Sequence, residues 1–194
     1  MSIPTLRRIA RRHRGDHDLA LALWDTDIHE ARILAALVDA PRQVTEEQAE
    51  RWVADFDSWD LCDGVCDLFR ETPFAWEKAF AWCARDEEFV RRAGFVLIAT
   101  TAVHGKGEPD ERFLAALELV RKVANDDRNT VKKGVNWALR QIGKRNQRLN
   151  EAAIAMGEQI RVDGTRSGRW IASDALRELR SEAVQVMLAR KAAK

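Results

Sequence analysis

The sequence has little of what would break a helix. Its 194 residues include no tyrosine, four prolines and ten glycines, while Ala, Leu, Arg and Glu are abundant. Proline and glycine are the poorest helix formers, so this composition favours helix along most of the chain. The three cysteines are too few for a disulfide framework. They are typical of a protein with reduced thiols in the cytoplasm.

Long apolar runs are also missing. No stretch approaches the roughly 18 apolar residues that can span a bilayer, and "MSIPTLRRIARRHRGDHD" at the N-terminus has no apolar signal region. Apolar residues make up 46% and charged residues 32% of the chain, which indicates a globular protein. We therefore expect a single domain over residues 1–194, cytoplasmic, monomeric and without a membrane partner.

The net charge of +1 hides a strong asymmetry. Residues 1–14 carry five arginines and no acid, and residues 44–88 carry 13 acids against four bases. Residues 128–169 reverse this balance, with ten bases against three acids. A near-neutral total divided in this way predicts one face that binds a polyanion and another turned away from it.

Apolar residues recur at helical spacing throughout, and no segment alternates as a strand does. The pattern predicts helices near 3–13, 16–25, 28–39, 44–56, 59–70, 73–85, 87–103, 110–124, 128–145, 148–160 and 167–189. Thr45 is expected to cap one of them and Pro73 to begin another. Many short helices with brief connections favour an all-α solenoid of HEAT type. A compact irregular bundle is the alternative.

The stretch "DSWDLCDGVCD", residues 57–67, places carboxylates beside a tryptophan. On a helix that starts after Ser58, the core stripe contains Cys62 and Cys66, and Trp59 lies at its border with Asp63 one turn on. Buried thiols explain the cysteine pair better than half a zinc site. Of the other acids, Asp60 can favour the helix dipole and Asp67 can be solvated. Asp63 has no such explanation and is the candidate functional carboxylate.

The stretch "RNTVKKGVNWALRQIGKRNQR", residues 128–148, places a tryptophan on a basic helix face. Trp137 lies opposite the apolar stripe, in a row with Lys133, Arg140 and Lys144. Packing against a neighbouring repeat is one interpretation of Trp137. The other is a ring presented to a nucleobase or sugar, with cations around it for phosphates. The basic run continues through Arg145, Arg148, Arg166 and Arg169.

Arg92 stands inside the otherwise apolar segment 87–103. A buried arginine needs a carboxylate, Asp63 among the possible partners, whereas an arginine on an inner surface can hold a phosphate. The sequence leaves both alternatives open.

Taken together and in order, "SWDLCD", "EFVRRAGF" and "VKKGVNWALRQIGKRN" resemble the AlkD-like family of DNA alkylation-repair glycosylases, from about residue 5 to about residue 188. The resemblance implies a right-handed superhelix of HEAT-like antiparallel helical pairs that holds duplex DNA. It also implies hydrolysis of the N-glycosidic bond of positively charged alkylated purines, 7-alkylguanine and 3-alkyladenine, without the usual base flipping. The enzyme would be monofunctional, need no metal or cofactor, and associate with the nucleoid when acting.

The resemblance also implies roles for single residues. Trp59 and Trp137 match the two tryptophans that frame the deoxyribose of the lesion, Asp63 matches the catalytic carboxylate, and Arg92 matches an arginine that contacts DNA. The remaining DNA-binding candidates are the cations of the basic stretch: Lys133, Arg140, Lys144, Arg145, Arg148 and Arg169.

The sequence departs from the family in two places. We expect that the chain lacks the helices that the family has before "PTLRRIARR", and Thr100 stands two turns beyond Arg92, where a basic residue is expected. Two other functions therefore stay open. One is a non-catalytic HEAT-like module that binds nucleic acid or a protein partner. The other is a metal-dependent hydrolase that uses Asp60, Asp63 and Asp67.

Overall fold

The computed structural model describes residues 1–193, and in that range it contains twelve α-helices and no strand. The prediction of an all-α chain is confirmed. The helices are α1 (Ile3–Ala10), α2 (His17–Trp24), α3 (His29–Val38), α4 (Glu46–Ala54), α5 (Trp59–Phe69), α6 (Ala75–Cys83), α7 (Glu88–His104), α8 (Asp110–Val123), α9 (Asn129–Gly143), α10 (Gln147–Asp163), α11 (Arg166–Leu179) and α12 (Glu182–Ala192).

The C-terminal part of the chain corrects the sequence prediction. One helix was expected over residues 167–189, but the structure has two, α11 and α12. Ser181 causes the break, because its hydroxyl accepts a hydrogen bond from the backbone N–H of Val184 and caps a new helix. The predicted cap at Thr45 is confirmed, since its hydroxyl accepts from the backbone N–H of Gln48 at 3.1 Å.

The chain divides into two compact units, Met1–Lys78 and Ala79–Lys194. In the first unit, α3 packs against α1, α2 and α5. Its core contains two stacked indoles, Trp24 and Trp52, whose ring centroids lie 4.0 Å apart. Such aromatic pairs contribute about 0.5–1.5 kcal/mol beyond the burial of their area.

A buried carboxylate joins three segments of the first unit. Asp39, at the end of α3, accepts a hydrogen bond from the Gln48 amide at 2.7 Å and lies 2.7 Å from Nδ1 of His17. The three side chains come from α2, α4 and the end of α3, so this network fixes the helices that support α5.

The second unit has two layers of helices. In one layer α9 packs against both α7 and α11, and in the other α10 packs against both α8 and α12. The apolar segment 87–103 forms α7, which is buried around its circumference, since residues 92–102 are all buried. Gly94 allows a close approach there, because an added Cβ would lie 2.5 Å from the backbone nitrogen of Cys83.

Candidate functional site

The acidic face of α5 begins with an exposed tryptophan. Trp59 is the first residue of α5, and 62% of it is accessible to solvent. By contrast, Trp24, Trp52 and Trp82 are fully buried. Burying an indole in a core is favourable, so an indole left on the surface has no packing role that explains it.

The three carboxylates that follow Trp59 on α5 have different surroundings. Asp63, one turn after Trp59, is half-buried, and Asp67 is exposed. Asp60 lies 3.0 Å from Nε2 of His29, on the neighbouring helix α3. Partial burial raises the pKa of Asp60, but its hydrogen bonds, chiefly the one with His29, outweigh this and bring the pKa below the ordinary value. Asp63 stays the candidate carboxylate because it lies one turn after Trp59, and side chains at i and i+4 are neighbours on a helix.

The cysteines of α5 belong to the core, as the sequence predicts. Cys62 and Cys66 are both fully buried, and burial raises the pKa of the Cys66 thiol well above its ordinary value. Such a thiol stays protonated at neutral pH and is a poor metal ligand. Within residues 1–193, no group of three or more His, Cys, Asp or Glu side chains is placed to hold a metal ion.

Gly64 leaves the surface beside Asp63 open. It lies inside α5, where glycine is less favourable than alanine by about 0.5–1 kcal/mol. A Cβ added at this position would meet no atom within 4 Å, so packing does not require a glycine there. The small residue lets a ligand approach the helix backbone closely.

The basic face of α9 carries the second candidate tryptophan. Trp137 is half-buried, and its indole Nε1 donates to the amide oxygen of Gln141 at 3.0 Å when that amide is turned to satisfy both groups. Lys133, one turn before Trp137, is exposed. No other side chain in the described part of the chain forms an ion pair with it. Trp137 is thus bonded to its own helix, and an exposed lysine lies one turn before it.

Two further cations of this face share one carboxylate. Glu178 on α11 accepts from Arg140 Nη1 and from Lys144 Nζ, both at 2.6 Å. Partial burial raises the pKa of Glu178, but the hydrogen bonds from Lys144 and Arg140 outweigh it, and the pKa falls below the ordinary value. Arg140 and Lys144 therefore retain only part of their charge for a polyanion.

Arg145 is held by backbone carbonyl groups. Its guanidinium donates to the oxygens of Ala102 at 2.9 Å and Gly105 at 3.0 Å, and it lies 4.1 Å from the ring centroid of Phe113. Burial lowers the pKa of Arg145 relative to its ordinary value. These contacts join the segment between α9 and α10 to the C-terminal end of α7, so this arginine serves the packing of the second unit.

The last two predicted cations lie outside the row of Trp137. Arg148, on α10, is exposed and pairs with Glu111 at 3.0 Å. Arg169, on α11, is exposed and donates to the carbonyl of Gly164 at 2.8 Å. The structure therefore places Trp137, Lys133 and Arg140 on α9, with Lys144 directly after its last residue, and it places Arg148 and Arg169 on other helices.

Arg92 is buried in α7 and donates to the backbone oxygen of Thr130 at 2.7 Å. This contact fixes the first turn of α9, the helix that carries Trp137. Thr100, where a basic residue is expected, is buried too. Its hydroxyl donates to the carbonyl of Val96 in its own helix at 2.9 Å.

Sequence reasoning missed three residues next to these faces. His29 contacts Asp60, Glu178 neutralises part of the α9 row, and Trp170 on α11 is 43% exposed. The first two contacts join residues more than 30 positions apart, and no local spacing shows them. Trp170 had a local signal, because "RSGRW" places it after two arginines as "VKKGVNW" places Trp137 after two lysines.

Over residues 1–193, no helix has both the length and the apolar character needed to cross a membrane.

Comparisons with known proteins agree with this architecture. One solved structure, from a family related to the HEAT-like repeat DNA glycosylases with affinity for branched DNA structures, aligns with a TM-score of 0.75 and 19% identity. The alignment covers 91% of this chain and 81% of that one, which confirms the HEAT-like fold.

A designed armadillo repeat protein in complex with the peptide (KR)4 aligns with a TM-score of 0.37 and 14% identity, over 95% of this chain and 88% of that one. The search of the curated proteins gave no match. The family model described as "DNA alkylation repair enzyme" matches residues 1–179. The chain therefore belongs to the DNA alkylation repair enzyme family.

Proposed function

We propose that this protein is a DNA glycosylase that hydrolyses the N-glycosidic bond of positively charged purines, 7-alkylguanine and 3-alkyladenine, in duplex DNA. The observation that carries the proposal is the exposed Trp59 one turn before the half-buried Asp63 on α5. Membership in the alkylation-repair family supports the choice of substrate class.

The chemistry of the bond explains why a ring and a carboxylate suffice. Alkylation gives the purine a positive charge, which makes it a good leaving group. As the bond breaks, positive charge develops on the sugar as an oxocarbenium ion, as in glycoside hydrolysis generally. An aromatic face attracts a cation by roughly 0.5–2 kcal/mol. The carboxylate of Asp63 stabilises the same charge and orients the attacking water.

Position and exposure support the assignment of Asp63 among the three acids of α5. Asp60 lies in the first turn, where it contacts His29 on α3, and Asp67 is exposed, so its charge is screened by water. Asp63 is less exposed than Asp67, and a carboxylate acts more strongly on a nearby cation where water is scarce. The open surface over Gly64 gives the DNA backbone room to approach this carboxylate.

The α9 face supplies contacts to the DNA in this proposal. Lys133 provides a charge without an ion-pair partner among residues 1–193, and Arg140 and Lys144 provide charges that exchange Glu178 for a phosphate. Trp137 presents its ring to a sugar or base. Arg92 supports the same helix through its hydrogen bond to the backbone carbonyl of Thr130.

The reaction proposed is hydrolysis without strand cleavage. Cutting the strand would need an amine nucleophile to form a Schiff base, and α5 contains no lysine. The product is an intact strand with an abasic site. Neither a metal nor a cofactor takes part in the proposed step.

A non-catalytic role in binding DNA is the second candidate. The solved structure similar to this chain comes from a family with affinity for branched DNA structures. The same α9 cations would serve that function, but it would leave Trp59 and Asp63 without a role.

Release of free base from methylated duplex DNA tests the proposal. The chain is incubated with the DNA in the presence of EDTA, the released bases are separated by chromatography, and the strand is examined before and after alkali. We expect 7-methylguanine or 3-methyladenine, with strand breaks only after alkali. Tight DNA binding without base release would favour the second candidate, and release abolished by EDTA would contradict the metal-free step.

A further inference from the structure

An exposed tryptophan on α11 has no role in the function proposed above. Trp170 is 43% accessible, although the residues that follow it, Ile171 and Ala172, are fully buried. The side chain therefore stands at the surface of a well-packed helix. An exposed indole of this kind offers a flat apolar surface to a partner.

Two cations lie near this indole, one over its ring and one a turn earlier on α11. The ammonium of Lys132, on α9, lies 5.0 Å from the ring centroid of Trp170. Arg166 precedes Trp170 by one turn of α11, so both lie on the same side of the helix. Arg166 is exposed, and its side chain makes no ion pair with any residue of 1–193. A ring with a cation over one face and a second cation one turn away fits a ligand that stacks on the other face and carries negative charge.

Trp170 also lies beside the row that carries Trp137. Asp174 and Glu178 follow Trp170 on α11 at successive turns. Both contact Arg140 on α9: its Nε lies 3.9 Å from Oδ2 of Asp174, and its Nη1 lies 2.6 Å from Oε2 of Glu178. Arg140 belongs to the same row of α9 as Trp137. The basic surface of α9 thus continues onto α11, with one tryptophan on each helix.

The two acids on this part of α11 do not reverse its charge. Asp174 forms ion pairs with Arg177 and Arg140, and Glu178 pairs with Arg140 and Lys144. Three cations therefore compensate the two acids, and the charges of Lys132 and Arg166 remain available near the ring.

We propose that Trp170, Lys132 and Arg166 form a second nucleic-acid site, which stacks an unpaired DNA base beside the duplex held by α9. A base inside a duplex has both faces covered by its neighbours, so an exposed indole can stack only on a base that is unpaired. Lys132 and Arg166 bind the phosphates on either side of that base. The site rests on the proposed function only in that α9 binds DNA.

Stacking of this kind has a measurable size. One base on one aromatic side chain contributes enough for roughly a 5- to 100-fold change in affinity on alanine substitution. The proposal therefore predicts that DNA with a single-stranded extension binds more tightly than the same duplex with blunt ends, by a factor in that range. Trp170→Ala removes the difference and leaves the affinity for blunt duplex unchanged.

Fluorescence anisotropy with labelled blunt and extended duplexes tests the site. The matched control is Val186→Ala on α12, because Val186 is 41% exposed and is not flanked by the same cations. Trp170→Phe keeps a ring and retains most of the preference. Helix content, measured by circular dichroism, shows whether each variant is folded. Arg166→Ala is a second test of the site, because its affinity for the extended DNA should depend less steeply on salt concentration.

The outcomes separate this site from the glycosylase. A preference lost in Trp170→Ala and kept in Val186→Ala supports the site, even if the wild-type chain releases no base. A wild-type chain that binds both DNAs equally, or a Trp170→Ala variant that keeps the preference, overturns it. Absence of binding to either DNA overturns the site together with the proposed DNA binding by α9.

Discussion

The tryptophans on α5 and α9 stand in opposite electrostatic surroundings. Trp59 is exposed on a helix with three aspartates and no cation before Arg70, whereas Trp137 is half-buried and shares its face with Lys133, Arg140 and Lys144. A polyanion is repelled by the first surface and attracted by the second. We infer that the two surfaces divide the work, and that α5 contributes to bond cleavage while α9 contributes to binding.

The contrast between α5 and α9 indicates how an acidic residue can act on a nucleic acid. An exposed aspartate weakens binding to DNA unless cations elsewhere provide the affinity. Residues 44–88 hold 13 acids, and residues 128–169 hold ten bases that offset them. In the proposed function, the Asp63 carboxylate acts on the positive charge that develops on the sugar.

The largest effect is expected for Asp63→Asn. Removing the charge that stabilises the oxocarbenium ion should lower the rate of base release about 100-fold or more, while the affinity for DNA stays the same or rises. Single-turnover excision assays and anisotropy measure the two quantities. Asp67→Asn, one turn further on the same helix, is the matched control and should keep most of the activity. Equal losses in both variants would mean that the acidic face acts as a whole.

A smaller effect is expected for Trp137→Ala. Loss of a stacked ring should reduce base release roughly 5- to 100-fold, mainly through weaker binding. Helix content should not change, because the ring is only half-buried. Trp59→Ala should instead lower the rate with little change in affinity. If Trp137→Ala loses much of its helix content, the packing role of this tryptophan is the correct one.

Glu178→Gln should strengthen binding. The substitution frees Arg140 and Lys144 for phosphates, so the slope of log affinity against log salt should steepen by about one to two. Lowering the pH protonates the same group. Because the pKa of Glu178 lies below its ordinary value, its ion pairs with Arg140 and Lys144 are complete above that ordinary value and are lost only as the pH falls through the lowered pKa. Glu182→Gln on α12 serves as the control. An unchanged salt slope would show that Arg140 and Lys144 do not reach DNA.

The smallest effect concerns Gly64. Alanine should raise the free energy of unfolding by about 0.5–1 kcal/mol, because the helix gains propensity and the new methyl group meets no atom. Chemical denaturation measures this gain. If the open surface serves the approach of DNA, base release should fall in the same variant. A more stable protein with full activity would remove Gly64 from the site.

Local periodicity explains how much of the fold the sequence predicts. Helices α5, α7 and α9 begin within one residue of their predicted positions, and their apolar stripes are the buried ones. The break between α11 and α12 was missed because the apolar spacing continues through Ser181, and only the capping bond to Val184 interrupts it. Periodicity reports which side of a helix is buried, and it does not report a single cap within an unbroken pattern.

The candidate sites were predictable only where they are local. Trp59 and Asp63 share one helix turn, so spacing alone places them side by side. The partners of the cations were not predictable, because Arg140 meets Glu178 across 38 positions and Arg145 meets carbonyl groups about 40 positions away. Contacts of this kind depend on how neighbouring helices are placed in register, which the residues of one helix do not specify.

One paired measurement tests the division of work between α5 and α9 most directly. Single-turnover excision rate and dissociation constant are determined on the same methylated duplex for the wild type, Asp63→Asn and Lys133→Ala. Asp63→Asn is expected to lose rate and keep affinity. Lys133→Ala is expected to lose affinity and keep its rate once the DNA is saturated. Loss of affinity in Asp63→Asn, or a loss of saturated rate in Lys133→Ala as large as that in Asp63→Asn, would rule out this division of work.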